Sequence, residues 1–208
     1  MEKPIIIIKV GMIMKRAIPF ILCTIHLVFL TTSSRASDQP DMLNAWARLQ
    51  AGTAVAIMRH ALAPGTGDPA HFELGDCSTQ RNLSTEGRVQ ASSIGDLFRS
   101  KGIQSANIIS SEWCRCRETA QLLNLGKTET FSPLNSFFED RSSADDQTDQ
   151  LRKALPAWLT PESQPTVLVT HQVNIRALTG SFTRSGEILI ISLNDDDVVV
   201  LANIPTLN

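Results

Sequence analysis

Apolar and polar positions in this chain fall into blocks. Thr53–Arg59 (TAVAIMR) is a nearly unbroken apolar run, and so is Thr166–Thr170 (TVLVT). Runs of this length with no polar face predict strands covered on both sides. Asn107–Ser110 predicts another short strand, and the stretch from Leu134 to Phe138 one more. Between them the spacing becomes helical. Leu43, Trp46, Ala47 and Leu49 share one face of a helix over 41–50, and Leu151, Leu155 and Leu159 recur four apart in a helix over 147–159. A helix over 84–101 has Ser84 as its N-cap and Gly102 just past its end. Two more helices run over 115–125, stopped by Gly126, and from just after Thr170 to about Leu178. Two closing runs, 186–193 and 198–203, are joined by the turn 194–197. Ala63–Pro69 (APGTGDP) is loop.

Strands alternating with helices predict an α/β fold: a three-layer α/β/α sandwich on a mostly parallel sheet, with the closing pair placing an antiparallel strand at one edge. Ligands of such sheets sit beyond the carboxyl ends of the strands. Three strand ends here carry chemistry: Arg59-His60, Ser110-Ser111 and His171.

Composition narrows the class. The 208 residues are 42% hydrophobic and 19% charged, as in a globular chain. A net charge of −2 argues against a nucleic-acid binder held by a broad basic surface. Four cysteines with no C-x-x-C pair argue against a zinc module. Lys15-Arg16, the apolar run Ala17–Leu30 and the small-residue site Ser34-Arg35-Ala36 have the form of a secretory signal peptide. Residues 1–36 are therefore expected to be removed, with translation starting at Met1 or later at Met12 or Met14. The run falls short of the roughly twenty residues a membrane span needs, and His26 interrupts it. No stable membrane association is expected after cleavage. Removing five basic residues and one acid leaves 14 basic against 20 acidic residues over 37–208, a net of −6. An anionic substrate must then be drawn by a local arginine cluster rather than by the whole-protein field.

That cluster is visible in the pattern. His60 and His171 would face each other across the rim, with Arg59 beside His60 and Arg115 opening the next helix. Guanidinium forks and imidazoles suit a dianionic phosphoryl group, one histidine attacking phosphorus while the rest hold its oxygens. Positive surroundings would also lower the attacking imidazole's pKa and keep its lone pair free.

Four blocks carry a family resemblance. Met58-Arg59-His60-Ala61 resembles the Arg-His-Gly signature of the histidine phosphatase superfamily, which includes the phosphoglycerate mutases. Ser110–Ala120 (SSEWCRCRETA) resembles its Ser-Ser, Arg, Thr-Ala block, Val169–Gln172 its second-histidine block, and Asn82–Ala91 (NLSTEGRVQA) its Leu-Ser/Thr-x-x-Gly-x-x-Gln-Ala helix start. The resemblance implies a phosphoglycerate mutase-like fold and a phosphohistidine on His60. Arg59, Arg115 and His171 would complete the phosphate pocket, Arg115 being preferred to Arg117. Glu139 or Asp140 would be the acid that protonates the leaving oxygen. It implies no metal and no organic cofactor. Two positions depart from the pattern: Ala61 and Gln172 stand where glycine is usual. A need for positive φ there would bring strain; Gln172 could instead aim its amide at a phosphate oxygen. Glu112 replaces a common proline and is expected to point outward.

Thr66 in the glycine-rich loop and Arg81 beyond it are further candidate contacts, against the plainer readings of a turn residue and a solvated or ion-paired arginine. That loop is not a P-loop, since no Gly-Lys-Ser/Thr follows. His71 reads as a surface residue, and the carboxylate runs 145–146 and 195–197 as a helix start or solvated turn rather than calcium sites. An exported chain would favour one disulfide, Cys77 with Cys114 or Cys116, pinning the Gln80-Arg81 loop near Arg115. The reading is thus an exported, periplasmic or secreted phosphomonoesterase acting on a small phosphorylated substrate. A phosphomutase and a phosphate-ligand binding protein with a degenerate site are its rivals. Specificity would come from loops 61–80 and 139–150, whose Gly, Ser and Asp content offers no distinctive base-stacking or sugar-reading group.

Overall fold

The computed structural model describes residues 38–206; the expected signal segment lies outside them. The elements run α1 (Asp38–Gln50), β1 (Val55–Arg59), α2 (Thr85–Ser100), β2 (Asn107–Ser110), α3 (Cys114–Leu123), β3 (Thr128–Thr130), α4 (Ala144–Trp158), β4 (Thr166–Thr170), α5 (Gln172–Thr179), β5 (Ile188–Asn194) and β6 (Asp197–Ile204).

They form a six-stranded sheet in the order β3-β2-β4-β1-β5-β6. The first four neighbours pair in parallel, and β5 runs antiparallel to both β1 and β6. The antiparallel strand expected from the closing pair is present, with β6 outside it. The uninterrupted apolar runs lie at the centre, where both faces are covered. Ala56 and Met58 of β1 pack with Trp46, Leu49, Ile94, Phe98 and Leu123 of α1, α2 and α3. Val55 and Ile57 pack on the other face with Leu151, Leu155, Ile175 and Leu178 of α4 and α5. That is the three-layer sandwich, each strand residue alternating between two cores.

Two expectations need correction. The stretch from Leu134 to Phe138 is not a strand. Pro133 lacks a backbone donor, and Ser132–Leu134 forms a 3₁₀ turn instead. Leu134 and Phe137 are buried as single apolar plugs. The strand is Thr128–Thr130, a largely exposed edge beside β2 whose polarity hid it from a search for apolar runs. The stop of α3 is Asn124, in the left-handed region at φ 51°, rather than Gly126.

Candidate active site

The site begins where β1 and β4 end side by side. The His60 N–H donates to the Thr170 carbonyl at 2.9 Å, extending the strand pairing by one residue. This brings two imidazoles 111 positions apart in the sequence to a centroid separation of 5.6 Å, inclined at 67°. 

The backbone just past His60 is held from three sides. Ala61 N–H donates to Thr119 Oγ1 at 3.0 Å, and that hydroxyl donates to the Arg115 carbonyl at 2.7 Å. Leu62 N–H donates to Gln90 Oε1 at 2.9 Å. A Cβ on Gly87 would come within 2.0 Å of the Leu62 carbonyl, so the first turn of α2 reaches this backbone because residue 87 has no side chain. Neither Ala61 nor Gln172 has positive φ, so replacing the usual glycines brings no backbone strain.

The two histidines are held in opposite tautomers. His60 Nδ1 lies 2.7 Å from the Ala61 carbonyl, which places its proton there and leaves the Nε2 lone pair free. Ser111 Oγ donates to Asn135 Oδ1 at 3.2 Å and therefore accepts from His171 Nε2 at 2.9 Å. The His171 Nδ1 lone pair then faces Arg115 Nη2 at 3.5 Å. Burial first, and the Arg115 charge second, push both imidazoles well below their ordinary pKa; in His60 this prevails over the Ala61 bond. Both are neutral near pH 7.

Arg115 is almost fully buried, and Arg117 is exposed. The end of the Arg115 guanidinium grips Asp68, with Nη1–Oδ1 at 2.7 Å and Nη2–Oδ2 at 3.1 Å. Trp113 Nε1 and the Arg81 backbone N–H also donate to this carboxylate, at 3.1 and 3.0 Å. Burial alone would raise the Asp68 pKa, but its hydrogen bonds and the Arg115 charge hold it below the ordinary value. Arg59 donates to the Thr183 carbonyl at 3.3 Å. Arg59 Nε and Arg115 Nε are buried with no hydrogen-bond partner among the described residues. Arg81 donates from Nε to the Gly67 carbonyl at 2.8 Å and from Nη1 to the Ala63 carbonyl, so it clamps the glycine-rich loop and forms no salt bridge among the described residues. Burial, then the Arg115 charge, lower its pKa to about 10. Three guanidiniums against Asp68 leave two positive charges, the complement of a phosphate dianion.

These groups open into a cleft of about 800 Å³ that also takes in Thr66, Glu139, Asp140 and Gln172. Thr66 is exposed and Gln172 is half-buried at the start of α5. Glu139 lies against the loop, where a Cβ on Gly67 (φ +67°) would meet its Oε1 at 2.6 Å. Asp140 accepts from Ser142 N–H at 2.9 Å and caps the following turn, and bonds from Ser142 lower its pKa. Glu112 turns away from this cleft and accepts from Asn135 Nδ2 at 2.6 Å, as expected of an outward acid.

Sequence reasoning missed Asp68, Asn135 and Thr119. One available signal for Asp68 was charge: several arginines on one rim call for an acid, and Gly67-Asp68-Pro69 offers one in the adjoining loop. The expectation that the loops carry no stacking group also fails. Phe72 stacks on Trp113 at 5.0 Å, Trp113 meets His171 edge-on at 5.5 Å, and Phe138 lines the cleft. The disulfide joins Cys77 to Cys114, and Cys116 is a buried free thiol 3.4 Å from His171 Nε2, its pKa pushed up to about 12 by burial. Gln80 Oε1 accepts from Cys114 N–H at 2.9 Å, so the bridged segment is pinned beside Arg115. Among the described residues, no group of three or more His, Cys, Asp or Glu is placed to hold a metal.

No curated protein matches the sequence. Among solved structures, the fold is similar to a mycobacterial glucosyl-3-phosphoglycerate phosphatase in complex with VO3 (TM-score 0.53, 16% identity, covering 71% of this chain and 96% of the other). It is also similar to the protein histidine phosphatase SixA in complex with tungstate (0.50, 14%, 73% and 96%) and to the alpha-ribazole phosphatase of Shigella flexneri (0.50, 14%, 71% and 94%). At these identities the likeness speaks for the fold alone. The model of the histidine phosphatase superfamily (branch 1) matches residues 55–161, and with that match the chain belongs to this superfamily.

Proposed function

We propose that this protein is a metal-independent phosphomonoesterase that works through a phosphohistidine on His60. The observation that carries the reading is the His60 tautomer: a buried, neutral imidazole with its proton committed to the Ala61 carbonyl and its Nε2 lone pair free, beside Arg59 and Arg115. His60 Nε2 attacks phosphorus as the ester P–O bond breaks, its electron pair passing to the leaving oxygen. Glu139 donates the proton that oxygen takes. The carboxylate then removes a proton from water, whose oxygen attacks phosphorus while the N–P pair returns to Nε2. Arg59 and the Nε–Nη2 edge of Arg115 hold the equatorial oxygens, and Asp68 fixes Arg115 by its other edge. His171 completes the pocket beside them. Thr66, Gln172 and Arg81 border the ester group.

Asp140 is the weaker candidate for the acid, because its carboxylate is engaged by Ser142. A phosphate-binding protein without turnover would use the same guanidiniums but gains nothing from a free lone pair on His60. We place the mature protein, residues 37–208, outside the cytoplasm after loss of 1–36, in the periplasm or secreted. The Cys77–Cys114 bridge suits an oxidising compartment, and no described helix is long and apolar enough to cross a membrane.

The test is turnover of 4-nitrophenyl phosphate with and without chelator, followed by alkaline denaturation and mass spectrometry of the trapped enzyme. Activity unaffected by chelation, phosphate on His60, and loss of both in His60→Ala are expected. Metal dependence, or a label on another residue, overturns the mechanism.

A further inference from the structure

The chemistry sits at the floor of the cleft; the rim decides which alcohol is carried. Two phenylalanines stand there exposed to solvent, Phe138 at 43% and Phe182 at 66% relative exposure. Single exposed aromatics are ordinary. These two line the same cleft, together with Phe72 and Trp113. Their placement follows from the floor. The Thr183 carbonyl takes the Arg59 hydrogen bond, which sets the preceding Phe182 at the mouth. Phe138 adjoins Glu139, which lies against Gly67 across the loop.

Charge narrows the ligand further. The guanidiniums lining the cleft are those of Arg59, Arg81 and Arg115; the first and last lie at the phosphate pocket, and Arg81 is tied to loop carbonyls. The remaining charged groups toward the rim are the carboxylates of Glu139 and Asp140. A second anionic group on the substrate would meet repulsion there. Thr66, Ser136 and Gln172 also line the cleft, but four rings, those of Phe72, Trp113, Phe138 and Phe182, make up much of its wall, and polyol hydroxyls laid against them would give up water without a replacement. A volume of about 800 Å³ holds a phosphate with a ring or two attached.

We propose that the substrate is a small monophosphate ester of an aromatic or comparably apolar alcohol, without a second anion, and that Phe138 and Phe182 form the walls that select it. The inference rests on the phosphatase reading above and gives that site its substrate class.

The experiment compares three esters that share a primary alkoxide leaving group, so that intrinsic reactivity does not decide: ethyl phosphate, 2-phenylethyl phosphate and glucose 6-phosphate. The expected kcat/KM for 2-phenylethyl phosphate exceeds the other two by at least about tenfold, the scale of partial burial of one ring. Phe182→Ser, and separately Phe138→Ala, should lower it toward the ethyl ester value through KM. Turnover of ethyl phosphate and inhibition by inorganic phosphate should stay unchanged in both. Equal rates on all three esters, or a preference for glucose 6-phosphate, overturn the substrate class while leaving the phosphatase intact. If no ester is turned over, the phosphatase reading fails, and calorimetry with 2-phenylethylphosphonate against ethylphosphonate still reads the walls: equal affinities overturn them, and tighter binding of the aryl compound supports them.

Discussion

The floor and the mouth of the cleft are built in different ways. His60, Arg115 and His171 are buried, and each follows a parallel strand by a few residues. Their positions are set by strand register and by backbone partners such as the Thr170 and Ala61 carbonyls. Thr66, Phe138, Glu139 and Phe182 sit on loops and are exposed. The floor groups are therefore preorganised by the fold, whereas the mouth can change without disturbing them. Asp68 connects the two, since it belongs to the loop by sequence and to the floor by its contacts.

The largest expected effect comes from breaking that connection at Arg115. Arg115→Ala leaves Asp68 in a nearly closed pair without its cation; side-chain exposures are 3% and 9%. Stability should fall by roughly 3–5 kcal/mol, as for other buried pairs that lose one partner. The kcat/KM should drop by about 10³, the loss of a preorganised donor and its charge. Arg115→Lys should rescue little, because one ammonium cannot serve Asp68 and phosphate along two edges at once. Thermal melting and kinetics check both, and near-normal activity in the lysine variant would show that two-edged geometry does not matter.

At the mouth, Glu139→Gln should reduce kcat by about 10² on 2-phenylethyl phosphate, the usual scale for a general acid. On 4-nitrophenyl phosphate, whose leaving group needs little protonation, phosphorylation of His60 should be nearly unchanged. Burst kinetics on the two esters separate the cases, and equal losses of the phosphorylation rate would move the acid elsewhere.

The bridge between the regions comes next. Cys77 and Cys114 are 37 residues apart, and closing a loop of that length stabilises by roughly 4 kcal/mol on the chain-entropy account. The Cys77→Ser, Cys114→Ser double variant should melt earlier by that measure. Its KM should rise severalfold while kcat changes little, because Gln80 and Arg81 lose an anchor and His60 does not. A larger loss in kcat would mean that the floor depends on the loop.

How much of this was legible in the sequence follows the same division. The runs at 53–59 and 166–170 marked the central strands because both of their faces are buried, and the residues ending those strands were therefore found. Asp68 and Asn135 lie in irregular segments placed by contacts far along the chain, Asn135 by Gln147 and Asn174. No periodicity encodes such contacts. The edge strand at Thr128–Thr130 was missed for a related reason: an exposed edge needs no apolar pattern. The aromatic mouth was missed because Phe182 and Trp113 lie outside the two loops expected to set specificity.

Acidity separates the regions more gently. His60 and His171 have folded pKa values below those of the unfolded chain, so the unfolded state binds more protons as pH falls through about 6.5. Stability from these groups is present above that pH and is lost progressively below it. Asp68 is also depressed, and as a carboxylate its contribution holds until about pH 4 and is lost below. Denaturant midpoints at pH 7.5 and 5.5 should fall in the wild type and fall less in a His60→Gln, His171→Gln double variant. Identical slopes in the two proteins would remove the histidines as the cause.

The smallest effect is expected one residue from Glu139. Asp140 accepts from the Ser142 N–H and hydroxyl-bearing turn that it caps, and these bonds hold its carboxyl below the ordinary range. A group held that way surrenders its proton well before neutral pH and is poorly suited to protonate a leaving oxygen. Asp140→Asn keeps an acceptor for the Ser142 N–H, so both stability and kcat should stay within about twofold of wild type, as for other conservative cap exchanges. Read on 2-phenylethyl phosphate beside Glu139→Gln, the pair assigns the acid: a hundredfold loss in Asp140→Asn with activity retained in Glu139→Gln would reverse the assignment and transfer the proton to the capping residue.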